Sequence, residues 1–290
     1  MLRKILKNPN KIAILLGVYN AEKYIEEQLR SIMCQTINDF TVYVRDDASQ
    51  DNTLLIMNRF IENSDNIVLI NDDLGNLGCN GNYFHLLSII DSKYYMFCNA
   101  DDYWINNKIE LSMIEIEKAE KEYPDLPIII HTDLAITDQN LNIIYNSLWS
   151  YDNLNPKLFQ SFNEIGVYNT VAGATMLFNQ KVKDLTFPVN QYAPFFDHWM
   201  SLQTIKNGGI LIPIYKSLVY YRQIGTNLAL LNIGAKNTIK YKIRNFKDVY
   251  KANIKQAIML KRIGWGGYIK YLFYKIKIFS TLRLIRRKAP

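Results

Sequence analysis

Residues 94–104 read YYMFCNADDYW, an apolar run that ends in an asparagine and two adjacent aspartates. An apolar run of this length with a polar boundary predicts a buried strand, with Asn99, Asp101 and Asp102 at its carboxyl end. In open α/β sheets, ligands bind beyond the carboxyl ends of the strands. The stretch therefore predicts an α/β fold and indicates the edge of the sheet at which a site should lie.

Outward from this strand, short apolar segments alternate with amphipathic segments through the first half of the chain. Strands are predicted at 12–18, 40–44, 67–70 and 94–98, and helices at 24–32, 54–61, 80–90 and 108–121. Pro124 must end the last of these helices. The order β-α-β-α-β-α-β-α is typical of a mostly parallel sheet flanked by helices.

The regular alternation stops after residues 128–131. Shorter apolar segments follow at 141–145, 170–178 and 210–214, and a helix is predicted from Asp197. We interpret residues 1–235 as one domain with halves at 1–125 and 126–235, and residues 236–290 as a basic, amphipathic helical extension.

The net charge of +7 is unevenly distributed. From Lys236 to Pro290 there are 16 Lys or Arg residues and one acid, Asp248, so the first 235 residues carry a net charge of −8. The positive charge belongs to the tail, and the main body gives no reason to propose nucleic-acid binding.

The cysteines and the N-terminus both indicate a cytoplasmic protein. Cys34, Cys79 and Cys98 are an odd number without metal-ligand spacing, so we expect reduced thiols in the core. The basic N-terminal residues precede the apolar run 12–18, which is too short to span a bilayer and lacks a cleavage pattern.

Adjacent carboxylates at the end of a buried strand repel each other. Asp101 and Asp102 therefore cost free energy unless a cation or hydrogen-bond donors lie between them. Mg²⁺ and Mn²⁺ favour a few carboxylates combined with phosphate oxygens and water. The pair predicts a divalent metal that bridges to a diphosphate.

Two other strand ends carry candidate nucleotide contacts. After the first strand, Tyr19 can stack on a base and Asn20 can bond a ribose or the backbone; an ordinary helix entry is the alternative. After the second strand, Asp46 and Asp47 can accept hydrogen bonds from a pyrimidine or a ribose. Within residues 49–53, we expect an acid or amide to cap the next helix.

The ordered series VYN (18–20), QT (35–36), RDDAS (45–49), GNLG (75–78) and FCNADDYW (97–104) resembles family 2 glycosyltransferases. The chain is most similar to the bacterial rhamnosyltransferase-like group, over roughly residues 12–227. The resemblance implies a GT-A fold, a nucleotide-sugar donor, a divalent metal and inversion at the anomeric carbon. It makes 1–125 the nucleotide-sugar-binding half and 126–235 the acceptor half.

The resemblance also implies roles for individual residues. Those expected at the nucleotide sugar are Tyr19, Asn20, Asp46, Asp47, Asn76, Asn99 and Asp102. Asp101 falls where the family's metal-binding carboxylate lies. Asn99 stands where relatives often have aspartate, and its amide is a poorer metal ligand. Ala48 replaces a common glycine, and Gly17 a common serine or threonine.

The segment FDHW (196–199) is similar to the one that carries the family's catalytic base. An inverting transfer needs a carboxylate to take the proton of the acceptor hydroxyl, and Asp197 is the candidate; capping of the helix is the alternative. The segment VAGAT (171–175) resembles the acceptor-pocket lining, with a plain strand as the alternative. Acceptor-side candidates are Gly173, Ala174, Thr175, His198 and Trp199.

The segment YYRQIGTN (220–227) resembles the closing motif of the same subgroup. Arg222 and Gln223 are expected to reach the departing diphosphate, where negative charge develops. An edge strand followed by a turn is the alternative.

In the tail, residues 265–288 alternate aromatic and aliphatic side chains with basic ones. Because charges interrupt each potential span, we expect the segment to lie on an anionic membrane surface and not to cross it. A helix docked on the protein itself or in a dimer interface is the alternative.

The sequence thus predicts an inverting glycosyltransferase that builds bacterial cell-surface polysaccharide at the inner face of the cytoplasmic membrane. The donor implied by the subgroup is dTDP-rhamnose, with a UDP-hexose as the alternative, and the acceptor is a glycan or lipid-linked hydroxyl. A nucleotidyltransferase would usually carry a glycine-rich basic loop after the first strand, which residues 17–22 lack. A non-catalytic sugar-binding protein is the third hypothesis.

Overall fold

The computed structural model describes residues 6–7, 9–224 and 246–288. The strands are β1 (Leu6–Lys7), β2 (Ile12–Val18), β3 (Phe40–Asp46), β4 (Ile67–Leu69), β5 (Ile90–Asp91), β6 (Tyr94–Asn99), β7 (Tyr103–Trp104), β8 (Ile128–Thr137), β9 (Ile143–Tyr145), β10 (Met176–Asn179) and β11 (Ile210–Arg222). The helices are α1 (Ile25–Met33), α2 (Thr53–Glu62), α3 (Gly78–Ile89), α4 (Lys108–Glu122), α5 (Leu148–Tyr151), α6 (Phe162–Ile165), α7 (Gln180–Thr186), α8 (Phe196–Lys206), α9 (Phe246–Arg262) and α10 (Tyr268–Lys288).

The main sheet has the strand order β4-β3-β2-β6-β10-β8-β11-β7, with β9 paired to β8. Strands β4, β3, β2 and β6 are all parallel, as the alternating pattern predicts. Their carboxyl ends therefore meet at one edge, where residues 17–20, 45–49 and 99–102 follow β2, β3 and β6. The α/β fold and its flanking helices are confirmed.

The second half departs from a purely parallel arrangement. Strand β10 is antiparallel to both β6 and β8, whereas β11 runs parallel to β8. The strand predicted at 170–178 is wrong in its first part: residues 173–175 form a 3-10 turn and the strand begins at Met176. The small residues of this turn allow a tight backbone that a periodic pattern does not reveal. The helix predicted at Asp197 is confirmed as α8.

Each face of the sheet buries its own apolar cluster. Helices α1, α2 and α4 cover one face, and α3, α7 and α8 cover the other. The tail helices join the second cluster through Ala257, Leu260, Trp265 and Tyr271, and the indole N–H of Trp265 donates to the Phe162 carbonyl at 2.8 Å. The boundary at residue 235 and the predicted start of the tail at 236 lie outside the described residues.

The cysteines carry no disulfide, but only one of them lies in the core. Cys98 is buried in β6, whereas Cys34 and Cys79 are exposed, so the predicted core position is wrong for these two. Cys34 lies just past the end of α1, and Cys79 in the first turn of α3, where each helix end meets solvent. Across residues 6–224 and 246–288, no helix is both long and apolar enough to cross a bilayer.

Candidate active site

Asp47 is held between β3 and the start of α3. Its Oδ1 accepts from the Arg45 guanidinium and the Leu77 backbone N–H, each at 2.7 Å, and its Oδ2 accepts from the Gly78 N–H at 2.8 Å. The amide of Asn76 donates to the Asp47 carbonyl at 2.9 Å. A carboxylate is stabilised at a helix N-terminus by the unpaired N–H groups there. Asp47 and Asn76 thus fix α3 at the carboxyl end of β3.

The loops after β2 and β3 are tied together through side chains. The backbone N–H of Asn20 donates to Ser49 Oγ at 2.9 Å, and Asn20 Oδ1 accepts from the Gln50 N–H at 2.8 Å. Asp46 Oδ2 accepts from the Ser49 N–H at 3.0 Å. The ring of Tyr19 is 53% exposed beside them, so it is free to stack on a planar ligand.

The loop after β6 carries two carboxylates with different surroundings. Asp102 is fully buried and its Oδ2 accepts from the Asn99 amide at 2.9 Å, whereas its Oδ1 has no hydrogen-bond partner among the described residues. Asp101 is half-buried. Burial raises the pKa of both carboxyls, and the charge of Asp101 further raises that of Asp102. An aspartate at position 99 could not donate this bond, which explains the neutral residue there.

Arg222 holds the same loop from the end of β11. Its side chain is 1% exposed, its Nε donates to the Asp101 carbonyl at 2.9 Å, and its Nη2 donates to Glu27 at 2.6 Å. A further bond reaches the Gln139 carbonyl, and the guanidinium stacks 4.5 Å from the Tyr24 ring centre. Its positive charge lowers the pKa of Asp101 against the effect of burial. Arg222 therefore positions the Asp101 loop, and its predicted contact with a diphosphate stays a prediction.

Asp197 lies in the first turn of α8. Its Oδ2 accepts from the Gly173 backbone N–H at 3.0 Å, and its Oδ1 from the His198 N–H at 2.6 Å. Burial raises its pKa to about 6, against the lowering effect of these bonds. A carboxyl with this pKa is largely ionised at neutral pH and is still a stronger base than an ordinary aspartate.

Gly173 brings the acceptor segment close to α8. A Cβ at this position would lie 2.3 Å from Cζ of Phe196, the residue before Asp197. Only glycine lets the backbone at position 173 lie this close to the Phe196 ring. The group that lies close to Gly173 is therefore a side chain of the protein itself. Ala174 and Thr175 are buried beside it.

His198 and Trp199 point away from Asp197 into the packing around α8. His198 Nε2 lies 2.6 Å from the Ile165 carbonyl oxygen, and the Trp199 indole N–H donates to the Thr186 carbonyl at 2.8 Å. Both side chains are buried. In the structure they anchor α8, and their predicted contact with an acceptor stays a prediction.

Gln223 follows the end of β11, and its own backbone N–H donates to the Thr137 carbonyl at 2.9 Å. Its side chain is exposed, unlike the buried Arg222 before it. A contact of Gln223 with the diphosphate therefore also stays a prediction.

Helix α3 connects the site loops, and sequence reasoning assigned it no role. Asn80 accepts from the Phe196 N–H and donates to the Pro194 carbonyl, each at 3.1 Å. The Tyr83 hydroxyl lies 2.9 Å from Asn99 Oδ1, and its ring lies 4.5 Å from that of Phe196. Asn82 contacts the backbone of β3 and fills the space where Gly17 lacks a side chain. The available signal in the sequence was the pair of asparagines, Asn80 and Asn82, near the start of a predicted helix.

Cys79, in the first turn of α3, lies near the three key carboxylates of Asp47, Asp101 and Asp197. Burial raises the pKa of its thiol to about 11, and the charges of Asp197, Asp101 and Asp47 add to this effect. The residue is nevertheless exposed to solvent. The same helix binds Asp47 through the Gly78 N–H, the backbone of Phe196 through Asn80, and Asn99 through the Tyr83 hydroxyl. Helix α3 therefore brings together the loops that carry the three carboxylates.

The surroundings of Asp101 and Asp102 fit a divalent cation. Burial raises the pKa of both carboxyls although the charge of Arg222 lowers it, so the positive charge present offsets the effect of burial only in part. Within the described part of the chain, no cluster of three or more His, Cys, Asp or Glu side chains forms a complete metal site. A cation here would need ligands from a diphosphate and water, which Mg²⁺ and Mn²⁺ readily accept.

Comparison with known proteins identifies the family that the chain matches. The family description "Glycosyl transferase family 2" matches residues 13–180. The dTDP-rhamnosyl transferase RfbG of Shigella flexneri is 35% identical over 99 residues, which are 33% of this chain and 34% of RfbG. The chain thus aligns with about a third of that relative's length.

Two further proteins extend the comparison. The UDP-Glc:alpha-D-GlcNAc-diphosphoundecaprenol beta-1,3-glucosyltransferase WfaP of Escherichia coli is 27% identical over 148 residues, 49% of this chain and 57% of WfaP. The mannosyltransferase PcManGT of Pyrobaculum calidifontis, solved with GDP-Man and Mn²⁺, superposes with a TM-score of 0.57 and 13% identity, over 97% of this chain and 76% of PcManGT. The second likeness concerns the fold, and the GT-A prediction is confirmed.

Proposed function

The chain belongs to glycosyl transferase family 2 and is a glycosyltransferase, and we propose that it transfers a sugar from a nucleoside diphosphate to an acceptor hydroxyl with inversion. The observation that carries this proposal is that α3 holds the loops of Asp47, Asp101 and Asp197 together, through Gly78 to Asp47, Tyr83 to Asn99 and Asn80 to the backbone of Phe196. Such a displacement requires a site for the nucleoside diphosphate and a base on the opposite side of the donor sugar.

Asp197 acts as the general base in this proposal. Its carboxylate takes the proton of the acceptor hydroxyl while that oxygen bonds to the anomeric carbon, and the bond from this carbon to the diphosphate oxygen breaks. The N–H donors of Gly173 and His198 orient the carboxylate. Attack from the face opposite the diphosphate inverts the anomeric configuration.

Asp101 and Asp102 would hold a divalent cation next to the donor diphosphate. The half-buried Asp101 would be the ligand, and Asp102 would accept a hydrogen bond from the donor sugar or from a water of the cation through Oδ1. When bound, Mg²⁺ or Mn²⁺ offsets the negative charge that develops on the leaving diphosphate. Arg222 keeps this loop in place through the Asp101 carbonyl. The Mn²⁺ complex of PcManGT supports the same class of cofactor.

The nucleotide occupies the surface formed by the loops after β2 and β3. Tyr19 offers an exposed ring for the base, and Asn20 and Asp46 border it. The buried Asp47 supports this surface by fixing the start of α3. The similarity to RfbG supports dTDP-rhamnose as the donor, whereas WfaP supports a UDP-hexose. Both donors carry a pyrimidine base.

The acceptor is a glycan or a lipid-linked sugar in bacterial surface polysaccharide synthesis. The name of WfaP specifies a sugar on a diphosphoundecaprenol carrier, and RfbG is a rhamnosyl transferase. An enzyme that uses a lipid-linked acceptor must work at a membrane, and we place this one at the inner face of the cytoplasmic membrane, where nucleotide sugars are available.

The outward face of α10 supports the membrane contact. Its inner side packs on the protein through Tyr271, Ile278 and Leu282. Its outer side exposes a stripe at helical spacing, where Ile269 is 85%, Phe273 62% and Ile276 68% exposed. This stripe, which we call the α10 outer face, is available to a bilayer, with basic side chains of the helix beside it. The helix can thus dock on the protein with its inner side and lie on a membrane with its outer face, which combines the two hypotheses drawn from the sequence.

Donor turnover tests the proposal. Nucleotide sugars are screened by thermal shift with Mn²⁺, since a ligand that binds the folded state raises the melting temperature. The best donor is then assayed for hydrolysis with Mn²⁺ and with EDTA. We expect metal-dependent release of the nucleoside diphosphate. Donor binding with equal background release in both conditions would favour a non-catalytic binding protein.

A further inference from the structure

A second hollow lies in the acceptor half of the protein, apart from the three converging carboxylates. It encloses about 460 Å³ between β8, β11 and the segment around α5. Its lining combines two aromatic side chains, Trp149 and Tyr215, with short polar ones. None of the residues discussed for the donor cleft contributes to it.

Tyr215 forms a platform in this hollow. The residue is 56% exposed, yet its hydroxyl donates to Asn155 Oδ1 at 3.1 Å and its ring packs edge-on against Trp149 at 5.6 Å. Lys157 Nζ also lies 5.9 Å from the centre of the ring. An exposed tyrosine is common, but one held by these three contacts on the wall of a hollow is ordered before a ligand arrives. Its rigidity makes binding against the ring less costly in entropy.

The floor of the hollow is a fixed, acidic surface. Asp133 Oδ1 accepts from the backbone N–H groups of Leu134 and Trp149, and its Oδ2 from the hydroxyl of Ser147. The residues that line the hollow include this one acid, and the ammonium of Lys157 lies next to the Tyr215 ring. A ligand rich in hydroxyl groups can bond to the polar side chains of this lining, which an apolar ligand would leave unpaired.

A sugar ring matches this lining. Pyranose rings present C–H groups on one face, which pack on an aromatic ring, and hydroxyls at the edge, which bond to amides, hydroxyls and carboxylates. The side chains that surround Tyr215 supply those polar groups, among them Asn153, Ser150 and Asn155.

A short series of contacts links the hollow to the candidate base, Asp197. Trp149 packs 5.5 Å from the ring of His131, and His131 pairs with Met176 across β8 and β10. Met176 follows the turn that contains Gly173, whose N–H binds Asp197. On the other side, Ser217 of the hollow and Arg222 of the donor cleft lie on the same strand, about 17 Å apart at the usual rise per residue. An oligosaccharide can bridge this separation.

We propose that the Trp149–Tyr215 hollow binds sugar residues of the acceptor glycan that are remote from the reacting hydroxyl. This inference rests on the proposed function, because it assigns the class of acceptor to the same enzyme. The hollow would make an oligosaccharide a better acceptor than a single sugar.

The test uses the full chain on an array of bacterial surface oligosaccharides, followed by calorimetry with the strongest binder. Tyr215→Ala should weaken binding about tenfold or more, whereas Tyr215→Phe keeps the ring and should stay close to wild type. Tyr123→Ala is the control, because Tyr123 is exposed at the end of α4. Melting temperatures establish that each variant is folded.

Wild-type affinity in Tyr215→Ala, or no binding by the wild-type protein to any array member, would overturn the inference. Donor hydrolysis with Mn²⁺ is measured on the same samples. If Tyr215→Ala binds glycan like the wild type while donor hydrolysis is intact, only the role of the hollow is refuted. If the wild-type protein neither binds nor hydrolyses a donor, the proposed function itself is refuted.

Discussion

The backbone N–H of Gly173 donates to Asp197 Oδ2 at 3.0 Å, and this bond joins the acceptor segment to the candidate base. The bond depends on close packing, because a side chain at Gly173 would overlap the ring of Phe196, next to Asp197 in the chain. The position of the base is therefore set by a residue 24 positions earlier.

Gly173→Ala should displace Phe196 and with it Asp197. We expect a loss of stability of about 1–3 kcal/mol from overpacking, and a fall in kcat with little change in donor affinity. Gly267→Ala is the matched control, since a Cβ there would meet no atom within 4 Å. A variant at 173 with wild-type kcat would separate the bond from catalysis.

The activity should depend on pH through Asp197. Because its pKa is raised to about 6, kcat/KM should rise with pH and level off above that value. Asp197→Asn should lower kcat by about 10²–10⁴-fold while donor affinity, measured by calorimetry, stays unchanged. Full transfer by the asparagine variant would remove Asp197 from the role of base.

The same pKa predicts a change in stability. The folded protein binds the Asp197 proton more tightly than the unfolded chain, whose carboxyl has an ordinary value of 3.8, so this group favours folding below about pH 4. Its contribution declines as the pH rises to about 6. Between about pH 4 and pH 6, the melting temperature of the wild type should therefore fall more than that of Asp197→Asn. The same dependence of melting temperature on pH in both proteins would contradict the raised pKa.

Metal-dependent donor binding should require Asp101. Asp101→Asn removes a carboxylate ligand, so Mn²⁺ should no longer strengthen nucleotide binding, and affinity in Mn²⁺ should fall about tenfold or more. Asp125→Asn provides the control, because that carboxylate is 96% exposed in a surface pair with Lys181. Unchanged Mn²⁺ dependence in Asp101→Asn would rule out the metal assignment.

The α10 outer face should bind anionic vesicles. The double variant Phe273→Ser and Ile276→Ser removes exposed apolar surface without touching the docked side of the helix, and sedimentation with phosphatidylglycerol vesicles should fall about tenfold. Leu55→Ser is the control, as Leu55 is 55% exposed on α2. Equal sedimentation of the double variant and the wild type would leave the stripe without a membrane role.

The first half of the fold followed from the sequence because its strands are short, apolar and regularly spaced. Predicted strands at 12–18 and 94–98 match β2 and β6 within one residue. The turn at 173–175 escaped prediction because its backbone is fixed by Asp197 and Phe196, which are distant in the chain. Periodicity carries no information about such contacts.

The site was predictable in its carboxylates but not in their supports. Strand ends marked Asp47 and Asp101, because parallel strands deliver their carboxyl ends to one edge. The role of Asn80 in holding Phe196 became visible only when α3 and α8 met in space. The burial of Arg222 was also unforeseen, because a motif specifies a residue type and not its exposure.

The alkylation rate of Cys79 tests the convergence most directly. At pH 9, well below a thiol pKa of about 11, the rate with iodoacetamide follows the small thiolate fraction, and mass spectrometry of the Cys79 peptide measures it with Cys34 as internal reference. If Asp101 and Asp197 border the same cleft, Asp101→Asn and Asp197→Asn will each lower the thiol pKa and accelerate alkylation, whereas Asp125→Asn will not. Unchanged Cys79 rates in both site variants would show that the carboxylates do not share a cleft, and would contradict the account.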